Sequence, residues 1–297
     1  MRHLLALLLT TSAAMAEVPR VVTDIPAVHS IVDMVMGSLG SPELLLAPGA
    51  DEHDFQLKPS QMESVASADL VVWVGPELTP WLDAALEARG GESSILTLFD
   101  DVGTYKINYF VGDSVTGDTP AEGTIDPHVW LDPSTAAYWT DLIAAELSRL
   151  DPEHAKLYDA HAVIARSRIA TAEAEAKALL DPIKDRPFVT FHDAYGYYIT
   201  YFGLTSAGTI ALGDAATPGA LRLSKLRATL EEGSVTCVFP EAQHNAGLID
   251  QLVDGTSVKI GAALDPVGST LQPGPRAYPE LIVAIATTLA GCLSDPG

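Results

Sequence analysis

The chain is short of cysteine, short of basic residues, and without a long apolar run after its first few residues. Seventeen lysines and arginines face 39 aspartates and glutamates, a formal charge of −22. That balance excludes a nucleic-acid partner, because phosphate contacts require Lys and Arg. It suits a soluble surface that weakly enriches cations. No segment past the N-terminus is apolar and long enough to span a membrane. No local metal motif such as H-E-x-x-H occurs, so any metal site must be assembled from distant parts of the chain.

What is present points to export and to well-formed cores. Hydrophobic residues make up 47% of 297 positions, enough for two ordinary domains. Arg2 and His3 precede an apolar run from Leu4 to Leu9, and Ala14-Met15-Ala16 is a small-x-small cleavage pattern. Residues 1–16 therefore read as a signal peptide cleaved after Ala16, against the alternative of an N-terminal hydrophobic helix. No cysteine follows the cleavage pattern, which argues against a lipid anchor. The mature chain is expected to be soluble in a bacterial periplasm. That compartment permits disulfides, and Cys237 and Cys292 are 55 residues apart (292 − 237). A bond between them is expected, with two buried free thiols as the alternative.

Apolar segments alternate with helical periodicity along the chain. Strands are expected at 20–25, 43–47, 70–75, 94–98, 188–191, 205–211, 235–239 and 258–261. Helices between them are marked by spaced apolar positions such as Val28, Ile31, Val32 and Val35. Thr79 is expected to cap the helix over Trp81, Leu82, Ala85 and Leu86. Strands apolar along their whole length imply parallel sheets covered on both faces. From Pro152 to about Leu180 the pattern is one long helix rich in Ala, Glu, Lys and Arg, with Asp151 as N-cap and Pro152 at its first position. The fold class is α/β: two lobes, each a roughly four-stranded parallel sheet with flanking helices, joined by one long rigid linker helix. The expected division is 17–150 for the first lobe, 151–181 for the linker helix and 182–297 for the second lobe. Gly103–Thr124 reads as a loop. Gly213–Gly219 has the composition of a mobile segment, expected to move or order when metal binds.

Chemistry concentrates in four stretches. Asp126-Pro127-His128-Val129-Trp130-Leu131-Asp132-Pro133 sets a histidine between two Asp-Pro turns, and each proline stiffens the residue before it. Asp51-Glu52-His53-Asp54-Phe55, Thr190-Phe191-His192-Asp193 and Ala263-Leu264-Asp265-Pro266-Val267-Gly268 are the others. Each follows a strand or lies in a connecting loop, where parallel sheets place their ligands. His53, His128, His192 and Asp265 would form a three-nitrogen, one-carboxylate set suited to Zn²⁺. Taken singly, His53 or His192 is more often an ordinary surface or hydrogen-bonded histidine. His29, His154, His161 and His244 are read as structural or solvent-facing. Asp126 and Asp193 could accept from ligand N–H groups or serve as turn and cap residues. Glu241 could face the cleft but is not assigned to the site. Trp130, Phe191, Tyr195, Tyr197 and Tyr198 are read as cleft and core packing.

The order D-P-H-x-W-x-D-P, long helix, F-H-D-A-Y-x-Y, then D-P-x-G resembles the cluster A-I (cluster 9) solute-binding proteins of zinc and manganese ABC transporters. The resemblance covers nearly all of the mature chain. It implies two lobes on a rigid backbone helix, one metal ion between them, and His53, His128, His192 and Asp265 as ligands. It also implies delivery to a membrane permease, a monomer and no enzymatic activity. Manganese members generally have Glu at the third ligand position and zinc members His. His192 and the two cysteines match the zinc branch. Many zinc members carry a His-rich loop before the second ligand, whereas Gly103–Thr124 contains no histidine. In that respect the chain is closer to the loopless, AztC-like type, which is associated with a periplasmic zinc metallochaperone. The rival readings are a manganese or iron carrier of the same fold, a zinc-dependent hydrolase with one open coordination position, and a zinc store or adhesin without a transporter.

Overall fold

The computed structural model describes residues 17–89, 94–109, 125–211, 218–244 and 247–294. Residues 1–16, read as a signal segment, and residues 110–124 and 213–217 of the two expected loops lie outside them.

The first half builds a four-stranded sheet from β1 (Val21–Thr23), β2 (Glu43–Leu44), β3 (Leu70–Trp73) and β4 (Ser94–Thr97). Its strands are all parallel, in the order β2-β1-β3-β4. The second half repeats this with β5 (Phe188–Thr190), β6 (Ser206–Thr209), β7 (Cys237–Val238) and β8 (Lys259–Ile260), all parallel, in the order β6-β5-β7-β8. In both halves the strand order reverses direction beside the first strand, the point where an open parallel sheet leaves a crevice at its C-terminal edge.

Apolar runs become the central strands here because both faces at the middle of each sheet are buried, whereas Ile95 of β4 and Ile260 of β8 are exposed. Leu70 and Val72 point into the main core, while Val71 and Trp73 point into a smaller core under α2 (Pro59–Ser67) and α3 (Pro80–Arg89). Phe188 and Cys237 face the main core, and Val189 and Val238 face a third cluster with Leu226 and Leu230 of α7 (Ala220–Glu231). The period of two sends alternate residues to opposite layers.

The main core is continuous through both halves. Its spine is α5 (Ala155–Leu180), a helix of 26 residues, about 39 Å long at 1.5 Å per residue. Tyr158, Ala162, Ala165, Ile169, Ala172, Ala176 and Leu180 form one buried stripe along it. The alanines let α4 (Pro133–Leu150), α1 (Pro26–Met36) and α9 (Ala277–Leu293) approach closely. The helix is thus more than a strut between halves, because it is packed along its whole length. It begins three residues later than expected. Asp151 does not cap it from Pro152; its carboxylate accepts from His154 Nδ1 at 2.7 Å and Tyr158 Oη at 2.9 Å, and His154 takes the N-cap place. Thr79 stands immediately before α3, as expected, and its hydroxyl lies 3.4 Å from the buried carboxylate of Asp24.

The two halves are also tied by polar contacts. Tyr278 lies in the first turn of α9. Its backbone N–H donates to Ser30 Oγ at 2.9 Å and its hydroxyl to Trp130 O at 2.7 Å. Trp130 Nε1 donates to Pro266 O at 2.8 Å. Cys237 and Cys292 are disulfide-bonded, Cα–Cα 6.4 Å, joining β7 to the end of α9. His161, mid-helix, places Nδ1 3.1 Å from Val35 O of α1. Its ring fills the space beside Gly37, whose φ of +57° and lack of Cβ both suit glycine there.

Candidate metal centre

Three histidine rings meet in the crevice between the halves. Ring centroids are 5.3 Å apart for His53–His128, 5.9 Å for His53–His192 and 5.3 Å for His128–His192. Glu52 joins them: one ligand atom from each of Glu52, His53, His128 and His192 lies within 4.8 Å of the others. His128 and His192 are buried, and so is Glu52.

Each ring is aimed by its surroundings. His128 precedes a single 3₁₀ turn, Val129–Leu131, between the two Asp-Pro turns. Asp126 Oδ1 accepts from both the His128 backbone N–H (2.9 Å) and its ring Nδ1 (2.7 Å). Asp132 then caps α4, accepting from Ser134 N at 2.7 Å. Tyr197 donates its hydroxyl to Asp126 O at 2.8 Å, which fixes the turn from the other half. His192 follows β5, and its Nδ1 donates to Glu241 Oε2 at 2.5 Å. Glu241 is held in turn by Tyr195 Oη, 2.9 Å from Oε1. With both Nδ1 atoms donating to carboxylates, the Nε2 atoms of His128 and His192 are turned toward each other, 3.4 Å apart. This arrangement fixes tautomer and orientation together. His53 sits in the loop after β2, where Asp51 Oδ1 accepts from its N–H at 2.8 Å. Trp81 Nε1 donates to Glu52 O at 2.8 Å and anchors the same loop on α3.

The electrostatics suit a cation. Burial pushes the His128 imidazole well below its usual range, and the neighbouring His192 and His53 add to this. The ring is therefore neutral at physiological pH, with a lone pair to offer. Burial also raises the Glu52 carboxyl from 4.5 to about 8. A dication placed among these groups would reverse that cost.

Asp265 is arranged differently. Its carboxylate accepts from the backbone N–H groups of Gly268 (2.9 Å), Ser269 (3.1 Å) and Thr270 (2.8 Å), and from Gln243 Nε2 (2.9 Å). Gly268, at φ +78°, closes this turn. Asp265 does not belong to the group of four convergent ligand atoms among the described residues.

Two carboxylates beside the rings, Glu52 and Glu241, are not among the ligands expected from the sequence. In the sequence Glu52 stands between Asp51 and His53 and looks like an ordinary acidic loop residue. Glu241 lies 49 residues from His192, and only its position after β7 hinted at it. Asp126 takes the acceptor role that was one of its two readings. Tyr195 and Tyr197, read as packing, hold carboxylate and turn in place. Asp193 is buried. Among the remaining histidines, His29 Nε2 faces Pro42 O at 3.2 Å. His244, read as structural or solvent-facing, stacks on Phe191 with centroids 4.5 Å apart, and its Nε2 is 3.5 Å from Glu241 Oε2.

Comparison with known proteins agrees with this architecture. The sequence family described as zinc-uptake complex component A, periplasmic (ZnuA), matches residues 21–292. The high-affinity zinc uptake system protein ZnuA of Paracoccus denitrificans is 43% identical over 316 residues, covering 97% of this chain and 97% of that protein. Its counterpart in Brucella suis biovar 1 is 33% identical, covering 95% and 94%. A crystal structure of ZnuA superposes with a TM-score of 0.77 at 22% identity, over 92% of this chain and 99% of that one, which bears on the fold. With the match running from β1 to the end of α9, the chain belongs to the ZnuA family of periplasmic zinc-uptake components.

Proposed function

We propose that the protein captures Zn²⁺ in the crevice between its halves and delivers it to the membrane permease of an ABC importer. The observation that carries this reading is the convergence of three imidazoles and a carboxylate in a buried site. Two of the rings are pre-set by carboxylates to present Nε2. Imidazole nitrogen favours zinc over the harder Mn²⁺. Zinc is cargo here, and the residues hold it without turning it over. His53, His128 and His192 supply three nitrogens. The fourth position goes to a carboxylate, for which Glu52 and Asp265 compete. Glu52 is favoured because it already lies with the three rings, whereas Asp265 would have to give up bonds that hold its own turn.

In this reading the lobes 17–150 and 182–297 close on the ion around the linker helix 151–181. The mature chain starts after Ala16, acts as a monomer in the periplasm, and can receive zinc from a periplasmic metallochaperone. The first test is metal content and competitive Zn²⁺/Mn²⁺ titration of the mature protein beside His192→Ala, Glu52→Gln and Asp265→Asn. One zinc per chain, poor competition by Mn²⁺, and weakening in His192→Ala and Glu52→Gln are expected. Tight Mn²⁺ binding would move the protein to the manganese branch. Weakening in Asp265→Asn but not Glu52→Gln would reassign the fourth ligand. Absence of stoichiometric metal would remove the site.

A further inference from the structure

His192 has chemistry on both sides of its ring. On the Nε2 side are Glu52, His53 and His128. On the Nδ1 side, Glu241 and His244 form a second group with His192, one ligand atom from each within 4.8 Å of the others. Tyr195 occupies Glu241 Oε1. Glu241 Oε2 therefore lies between two imidazoles, 2.5 Å from His192 Nδ1 and 3.5 Å from His244 Nε2. The groups also differ in access. The His244 side chain is 19% exposed, against 10% for His53 and near zero for His128 and His192.

We propose that His244, Glu241 and His192 form an outer zinc position, a landing site from which the ion is handed to the inner site. This rests on the inner-site reading above. The donor set of two imidazoles and one carboxylate is one that zinc accepts, with water completing the shell. A neutral imidazole carries one proton and one free lone pair. His192 can therefore bind zinc through Nδ1 or through Nε2, but the two positions exclude each other. In the outer state zinc replaces the proton between Nδ1 and Glu241, and Nε2 is protonated. On transfer, zinc leaves Nδ1, solvent returns a proton there, and Nε2 loses its proton as it takes the ion. The chain holds one zinc throughout, and the Nδ1–H···Glu241 bond re-forms behind it. His244 makes the outer site because it adds a third ligand at the wetter edge; its stacking on Phe191 holds the ring in place.

The test separates the two positions. In a His53→Ala/His128→Ala protein the inner site is disabled, and zinc-buffered titration should still find one weaker zinc per chain. Adding His244→Phe, which keeps the stacked ring but removes its nitrogens, should weaken that residual binding by about tenfold or more. Because His128 is fully buried, His53→Ala alone provides a second background should the double variant fold poorly. In the otherwise native protein, His244→Phe should slow zinc association in stopped-flow, and His244→Cys should restore the rate. Absence of residual binding, or residual binding and association rates indifferent to His244→Phe, would overturn the outer position. Native-strength binding in the His53→Ala/His128→Ala protein would instead overturn the inner site.

Discussion

Glu52 is the sharpest test of the site, since its substitution should move stability and zinc affinity in opposite directions. Burial raises its folded value from 4.5 to about 8. In the unfolded chain it ionises near 4.5, so between 4.5 and about 8 the folded protein carries a proton that the unfolded chain has lost. Stability from this group is full below about 4.5 and declines as pH rises, levelling off above about 8. At pH 7 the gap of about 2.5 pH units from 4.5, at about 1.36 kcal/mol per unit, is on the order of 3 kcal/mol. Glutamine is neutral in both states and avoids this cost. Metal-free Glu52→Gln should therefore be more stable than the native protein by up to about 3 kcal/mol at pH 7, and the gain should vanish near pH 4.5. Zinc affinity should fall, because a carboxylate ligand is lost. Urea denaturation of chelator-treated protein at pH 4.5, 7 and 8.5, with the disulfide intact, measures the first effect. A chelator-competition titration measures the second. Equal pH dependence in the two proteins would refute the buried, protonated Glu52.

Zinc binding should release protons, because Glu52 must ionise to ligate. Calorimetry at pH 7 in buffers of different ionisation enthalpy should show about one proton released per zinc, and none for Glu52→Gln. Affinity should tighten as pH rises toward 8 and then level. Replacing Cys237 and Cys292 with serine opens a 55-residue loop and should cost about 4 kcal/mol, read as a lower urea midpoint. Trp130→Phe removes the N–H donated to Pro266 O across the halves. It should destabilise by about 1–3 kcal/mol, since the buried carbonyl is left without its donor, as thermal melting will show.

Much of this protein was legible in the sequence, and the reasons are physical. Short apolar runs such as Leu70–Trp73, bounded by turn residues, suit strands buried on both faces, so the alternation of the eight strands among the described residues with helices was expected. The Asp-Pro turns flanking His128 fix local backbone whatever surrounds them. Two cysteines in a chain expected to be exported pointed to each other. Element ends were less legible, as at Asp151. There a carboxylate chose the side chains of His154 and Tyr158, three and seven residues on, over a simple cap.

The tertiary structure alone decided which side chains meet. No local pattern in the sequence says that β7 lies beside β5, so Glu241 could not be paired with His192 across 49 positions. The same holds for the packing of α9 against α1 of the first half, and for the convergence of Glu52 with the three imidazoles. Asp265 has the residue type and the loop expected of a ligand, and in the folded chain its oxygens accept from the N–H groups of its own turn. The sequence by itself determined the elements and the donors available. The sheet order and the core shared along α5 determined which donors converge, because convergence depends on distances that only the folded chain sets.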